Sequence, residues 1–568
     1  MNIVDWIILV VTLAGIAGYG FYKSRTSRNL DGYFLSNRTM PWWLILLSIM
    51  GTQASAVTFL ALPGQAYTDG MRFLQYYFGL PIAAVIVCIT FVPVFSRLKV
   101  YTAYEFLETR FDVRTRALTA FLFLVQRALS TGISIFAPSI ILSTLLGWNI
   151  YLTNLVMGGL LITYTVTGGA RAVAYTQKIQ MIIIFTGMFL AGYYVVHNLP
   201  AQIGLTDALE VGGKMGRMNV ITSGVKNGYF DWSDRYNIIS GTIGGFFLLL
   251  SYFGTDQSQV GRYLTAKNNT ESRLGLLMNG LVKIPVQFFI LLLGVLVFTF
   301  YQFNQSPVFF NEKEISRLES SGYGDSVRIL RDRSSEIQLS RDSILGFYAK
   351  TKDAASLDGL RTLQAGSDSI RTQVKAMIKK NGGDDNDTNY IFLRFVMDYL
   401  PVGLVGLLIA VIFLASWSSV AAALNSLAST SVVDFHKRFI KKDCSAEEDY
   451  SMARWYTFGW GVFCVVVAMF AYNIGNSLIE AVNILGSLFY GTILGIFLVA
   501  FYLKKVGAKA VFVAAVIAEL LVVAMFWLSE HGYLGLGFLW LNAIGSLAVI
   551  ILAWILQQFI KEKAKPLA

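Results

Sequence analysis

The residues best placed to do chemistry in this 568-residue chain are oxygen donors set inside apolar runs. In Ala415-Ser416-Trp417-Ser418-Ser419, positions 415, 418 and 419 are spaced i, i+3 and i+4 and share one helix face. A carbonyl at Ala415 and hydroxyls at Ser418 and Ser419 would point together there. Serine hydroxyls in a helix also bond back to their own backbone, and that reading competes with the first. Far upstream, Gly51, Thr52, Gln53, Ser55 and Thr58 interrupt the apolar run at 41–61. Carbonyls freed at that break, near Gly51 and Ala54, could complete a cage of five oxygens. Hard cations take oxygen ligands, and neutral oxygens hold a monovalent ion loosely enough to release it.

Other chemistries find no residues to run on. The cysteines (Cys88, Cys444, Cys464) give no disulfide framework, and the histidines (His197, His436, His531) have no metal-ligand spacing. No zinc-protease or nucleophile-elbow motif occurs. With no clustered acid, base, nucleophile or metal set, the expectation is that the chain is not an enzyme.

The elements that must hold the cage are membrane spans. Hydrophobic residues make up 55% of the chain and charged residues only 14%, well below the roughly one quarter of soluble proteins. Runs long enough to cross ~30 Å of hydrocarbon fall at 3–22, 41–61, 76–96, 117–146, 150–168, 175–198, 239–257, 274–302, 399–433, 453–472, 476–502, 508–528 and 537–560. The first lacks a basic flank and a cleavage site and reads as an uncleaved span. With the N-terminus outside, the segments facing the cytoplasm carry 25 Lys and Arg and the short outside segments five. That asymmetry predicts N-terminus out and C-terminus in, in a plasma or bacterial inner membrane. The net charge of +11 is then an orientation signal and a contact with anionic membrane lipid, not a nucleic-acid footprint. Three basic residues, Arg127, Lys283 and Arg394, remain near the membrane core. No obligate protein partner is implied.

The run at 239–257 ends in Tyr252-Phe253-Gly254-Thr255-Asp256-Gln257 and also reads as a helix broken near mid-membrane. Irregular backbone at that depth is tolerated only where it lines a cavity. Two breaks, each opening a block of five spans, predict an inverted repeat with its site at the midplane. The organisation expected is a first span and loop (1–40), a first five-helix repeat (41–198), a loop (199–238), the start of the second repeat (239–302), an insert (303–390), the rest of that repeat (391–502) and two peripheral spans (503–568). The insert reads as a small, partly helical extracellular cap; a gating or partner-recruiting role is the alternative.

Several stretches carry a resemblance along the whole chain. They are Ser55-Ala56-Val57-Thr58-Phe59-Leu60 with Pro63-Gly64; Phe91-Val92-Pro93-Val94-Phe95 with Tyr101 to Phe111; Tyr164-Thr165-Val166-Thr167-Gly168-Gly169-Ala170-Arg171-Ala172-Val173; Tyr252 to Gln257 with Arg262-Tyr263-Leu264; and Ser418-Ser419 to Asp434-Phe435. In this order and spacing they resemble the sodium/solute symporter family, whose members share the LeuT-type fold. The resemblance implies an all-α polytopic membrane protein of about 13 transmembrane helices, built as a 5+5 inverted repeat with discontinuous core helices. It implies co-transported Na+ held by the carbonyls of Gly51, Ala54 and Ala415 and the hydroxyls of Ser418 and Ser419. Tyr252 becomes an inner gate, and Lys283 and Asn483 fall at substrate positions, with Gln53 and Thr58 beside the first break as further solute contacts.

Many relatives carry an aspartate on the cation exit path where this chain has Gln177, which leads us to expect one sodium per cycle. Arg127 is either a hook for a substrate carboxylate, as in members that carry acidic sugars, or a structural ion pair. The function expected is sodium-coupled symport of a small solute by alternating access, the solute a sugar, acidic sugar or carboxylate. The alternative is a sodium-dependent sensor or channel-like protein on the same fold; the chain ends directly after its last span, without a kinase-like extension, which argues against a sensor.

Overall fold

Where the apolar run at 41–61 is interrupted, the helix stops. In the computed structural model, which describes residues 1–24, 30–442, 444–471, 477–560, 562 and 565 and the side chains of all of these but 23–24 and 167–172, the first span is α1 (Ile3–Ser24) and the broken pair is α2 (Trp42–Gln53) and α3 (Ala56–Asp69). Between the pair, Ala54 (φ −79°, ψ 72°) and Ser55 (φ −82°, ψ 167°) leave helical geometry. Thr167 to Ala172 of the third motif stretch, and the basic residues Lys23, Arg25, Arg28, Arg171, Lys561 and Lys563, lie outside the described residues or side chains.

After the segment 80–98 come α4 (Val113–Leu146) and α5 (Ile150–His197). Within α5, two apolar lengths, 150–166 and 173–197, form separate crossings. The Tyr164 and Thr176 hydroxyls are 2.7 Å apart, whereas twelve residues of straight helix would separate them by about 18 Å. The chain therefore folds back between them, as the separate runs at 150–168 and 175–198 require. The first half packs on a later span, with Ile162 against Gly461 and Val465 against Gly158.

The second break repeats the first. Helix α6 (Gly245–Gly254) ends at Thr255, and α7 (Gln257–Tyr263) starts after Asp256, whose carboxylate accepts from the Ser258 N–H at 2.8 Å and caps it. The long α8 (Asn269–Phe303) follows.

The insert is almost wholly helical, built on α9 (Gly324–Thr351) and α10 (Leu360–Lys380). It has an apolar cluster of its own, including Phe309, Ile315, Val327, Leu330, Val374 and Ile378. A further helix, Ile391–Tyr399, belongs to this end of the molecule, and the next span, α11 (Leu404–Thr430), begins only after Pro401 and Gly403 (φ +93°) have broken the chain. Arg394 is thereby corrected: it is not near the membrane core. It lies on that short helix, half-exposed, with Nε 2.5 Å from Asp398.

The buried α11 runs down the centre, followed by α12 (Ala446–Phe470), α13 (Leu478–Tyr502), α14 (Ala508–Glu530) and α15 (Trp540–Phe559). Outward-facing apolar residues such as Ile7, Phe189, Leu520 and Trp554 suit a lipid surround. Among the described residues, ten helices are long and apolar enough to cross a membrane, and shorter apolar helices at 42–53, 150–166 and 240–254 supply the interrupted crossings. One two-residue hairpin, Val225–Lys226 on Tyr229–Phe230, turns at Asn227-Gly228 with both φ positive.

Candidate functional site

The first break opens onto a cavity of about 120 Å³ inside the apolar bundle, and α6, just ahead of the second break, supplies Leu248, Leu249 and Tyr252 to its wall. Of the sequence-predicted solute contacts, Gln53, Thr58, Arg127, Tyr252, Lys283 and Asn483 all line it, and Ser419 joins them. The break explains the first two. The Thr58 hydroxyl donates to the Gln53 carbonyl at 3.3 Å across the unwound segment, and the Gln53 amide nitrogen has no partner among the described residues.

Two of the proposed cation oxygens, those of Gly51 and Ser418, meet across the bundle. The Ser418 hydroxyl donates to the Gly51 carbonyl at 2.8 Å, which joins the first break to α11. A Cβ on residue 51 would sit 2.9 Å from Gln177 Cγ and 3.1 Å from Ser418 Oγ, so only glycine lets this carbonyl approach. The Ala54 carbonyl accepts no hydrogen bond from the described residues, and Ala415 is fully buried on the same helix as the serines. The Ser419 hydroxyl bonds back to the Ser416 carbonyl at 3.2 Å, the competing behaviour anticipated for helical serines. A hydroxyl oxygen that donates this way keeps lone pairs for a cation, so the set of neutral oxygens suits Na+.

Gln177 stands against the Gly51–Ser418 contact. Its amide N–H donates to Ser418 Oγ at 2.9 Å, and its carbonyl accepts from the Ser48 hydroxyl at 2.7 Å. Being neutral and donating to a cage oxygen, it adds no negative charge for a second cation.

The two basic residues of the cavity divide sharply. Arg127 is engaged: its Nη2 pairs with the fully buried Asp256, it donates to the Tyr490 hydroxyl at 2.9 Å, and it lies 5.6 Å from the Tyr252 ring centre. Asp256 is satisfied further by the Tyr490 hydroxyl at 2.6 Å and the Ser258 hydroxyl at 2.6 Å. The structural ion pair, rather than the free anion hook, is the state of Arg127 here. Lys283 is buried on α8, with its ammonium 5.7 Å from the Tyr77 ring and no ion pair or hydrogen bond among the described residues. A buried ammonium with only an aromatic face for company is costly unless something polar meets it.

Sequence reasoning missed Asp256 and Tyr490 as partners of Arg127. The signal was present: an aspartate in an apolar span needs a cation, and Asp-x-Ser marks a capped helix start. It also missed Ser48 and the second end of the path, where Asp434 accepts from the Thr102 hydroxyl at 2.9 Å and pairs with Arg116 at 2.7 Å. The Tyr104 hydroxyl donates to the Thr255 carbonyl at 2.9 Å, tying the turn after segment 80–98 to the second break.

Comparison with known proteins places this geometry. The sequence model described as Sodium:solute symporter family matches residues 33–315 and 369–518. The chain is 24% identical to a sodium/sialic acid symporter of Aliivibrio fischeri, over 98% of this chain and 94% of that protein. It is likewise 24% identical to a sodium/glucose cotransporter of Vibrio parahaemolyticus, over 91% and 84%. A solved structure of a Na+-coupled sialic acid symporter, substrate-bound and outward-open, superposes with a TM-score of 0.76 at 22% identity, covering all of this chain and 99% of that one. The fold is of the LeuT type.

Proposed function

The chain belongs to the sodium:solute symporter family, as a multi-pass membrane protein that couples sodium to the movement of a small solute, and from that premise we propose that its solute carries a carboxylate among hydroxyls. The observation that supports this is Lys283. It is the basic residue of the cavity whose charge no carboxylate of the described residues meets, and it sits among amide and hydroxyl side chains. A solute carboxylate supplies the missing charge, and Gln53, Thr58 and Asn483 supply hydrogen bonds to its hydroxyls. Arg127 holds the wall through Asp256 and shapes the cavity floor with Tyr252, the inner gate.

Sodium, in this reading, is held by the carbonyls of Gly51, Ala54 and Ala415 and the hydroxyls of Ser418 and Ser419. Its arrival replaces the direct Ser418–Gly51 hydrogen bond with two ion–oxygen contacts and spreads α2 from α11. Sodium and solute then favour the same arrangement of the arms, which is thermodynamic coupling between two sites. Sodium leaves past Gln177, one ion per cycle. The excess of Lys and Arg at the end opposite the insert supports an orientation with the N-terminus and insert outside and the C-terminus in the cytoplasm.

A thermal-shift screen of the purified protein over neutral sugars, acidic sugars and monocarboxylates, with and without sodium, tests the reading. Carboxylate-bearing solutes should stabilise the protein only with sodium, and Lys283→Gln should weaken their binding by about tenfold or more. Stabilisation by neutral sugars alone would overturn it.

A further inference from the structure

A second polar cavity, of about 140 Å³, lies at the seam between the insert and the upper arm α3, outside the solute site. Tyr67 and Thr68 of α3, Arg217 of the 199–238 loop, Arg341 of α9, and Ser367 and Asp368 of α10 all contribute to its wall. Arg341 is 3% exposed. Its Nη2 donates to the Gln364 carbonyl oxygen at 2.9 Å and the Ser367 hydroxyl at 2.8 Å, while its Nε has no partner. Arg217 donates to the Thr68 carbonyl and lies 4.8 Å over the Phe298 ring, and its Nε is also without a partner.

Neither guanidinium has a carboxylate partner among the described residues. A third arginine of the wall, Arg371, is matched by the buried Asp387. Asp368 of the wall faces both, with Asp69 near Arg217 and Asp342 near Arg341, and among the described residues none of the three is in ion-pair contact with either guanidinium. Burial lowers the pKa of both arginines and outweighs the pull of these carboxylates. A buried, unpaired cation is expensive, and an arginine fork with an unused N–H is a ready anion receptor. Residue 341 also falls in the stretch 316–368, which lies between the two matched segments of the family model.

We infer that this seam binds one small monovalent anion between Arg217 and Arg341, which ties the insert to the arm whose lower end lines the solute cavity. The ligand is a halide or a carboxylate group that takes up the unused N–H groups of the two guanidiniums. With the anion bound, α3, the 199–238 loop and the insert move as one piece; without it, the Nε groups of Arg217 and Arg341 have no acceptor among the described residues.

The test uses the full-length protein carrying Lys283→Gln, so that the proposed solute site cannot answer for this one. The protein is kept in sodium 2-(N-morpholino)ethanesulfonate, whose anion is larger than the cavity. Chloride or acetate is then titrated at constant sodium and ionic strength, with the melting temperature as readout. A saturable rise of a few degrees is expected. A response to chloride identifies a free inorganic anion, and a response to acetate alone identifies a carboxylate ligand. Arg341→Gln should weaken the half-saturating concentration by about tenfold. Ser367→Ala, which keeps both charges and so keeps the fold if Arg341→Gln does not, should weaken it by about threefold. A melting temperature indifferent to both anions, or a titration unchanged by Ser367→Ala, would overturn the assignment.

Discussion

Removing the Arg127 charge separates two roles that one residue type can play in this cavity. Asp256 is fully buried and accepts from Arg127, the Tyr490 hydroxyl, and the N–H and hydroxyl of Ser258. In Arg127→Gln the three neutral donors remain, but the carboxylate loses its one cation among the described residues. At an effective dielectric near 20 and a contact of about 3 Å, that attraction is about 5 kcal/mol. Breaking one side of a buried pair typically costs about 3–5 kcal/mol. Asp256→Asn strands the guanidinium and should cost a similar amount. The double variant should recover at least about 2 kcal/mol of the sum, since neither charge is then left alone. Melting of the four proteins in detergent, in sodium and without solute, reads this cycle directly. Solute affinity measured alongside gives the second axis. If Arg127→Gln melts like the unmodified protein and loses only affinity for an anionic solute, Arg127 is a substrate hook and the ion-pair account is wrong.

Other consequences follow from the same geometry. Ser418→Ala removes both a cage oxygen and the hydrogen bond to Gly51, so half-saturation for sodium-stimulated uptake should rise by about tenfold or more; Ser419→Ala should do the same, and unchanged sodium dependence in both would dismiss the cage. Gln177→Asp replaces an amide donor to Ser418 with a carboxylate, so sodium should bind more tightly and its titration should steepen beyond a single-ion curve; sodium titration of solute binding checks this. Asp384 lies in the insert, where burial first, then Glu314 and Asp385, push its carboxyl up to about 7. A carboxyl raised in the folded state favours folding at low pH and loses that contribution as pH climbs from about 4 to about 7. Melting curves of Asp384→Asn should therefore lack a downward slope in that window that the unmodified protein shows.

Much of this architecture was legible in the order of residues. Polar and glycine residues in otherwise apolar runs marked both breaks, because a helix unwinds in a membrane only where something lines a cavity. Spacing alone put Ser418 and Ser419 on one face, and the structure brings Ser418 to Gly51 across the bundle. What stayed hidden was pairing between distant spans. Arg127, Asp256 and Tyr490 come from three helices, and no local pattern says that they meet. The basic residues were sorted by topology while the acidic ones were not, which left Arg127 with no visible partner. Arg394 was misplaced for a different reason: an apolar helix of nine residues ahead of Pro401 reads as the start of the span that follows. The cap's interior is legible only as helical composition, since Arg341 of the insert and Arg217 of the 199–238 loop line one cavity only after folding.

The central claim is that sodium, held where the first break meets α11, drives solute uptake. Uptake of a labelled carboxylate-bearing solute into proteoliposomes, under imposed sodium or proton gradients at clamped voltage, tests it most directly. An inward sodium gradient should drive accumulation that depends on a single sodium ion, that collapses with the gradient, and that in Ser419→Ala needs about tenfold more sodium or more. Accumulation driven by a proton gradient alone, or uptake indifferent to sodium, would contradict it.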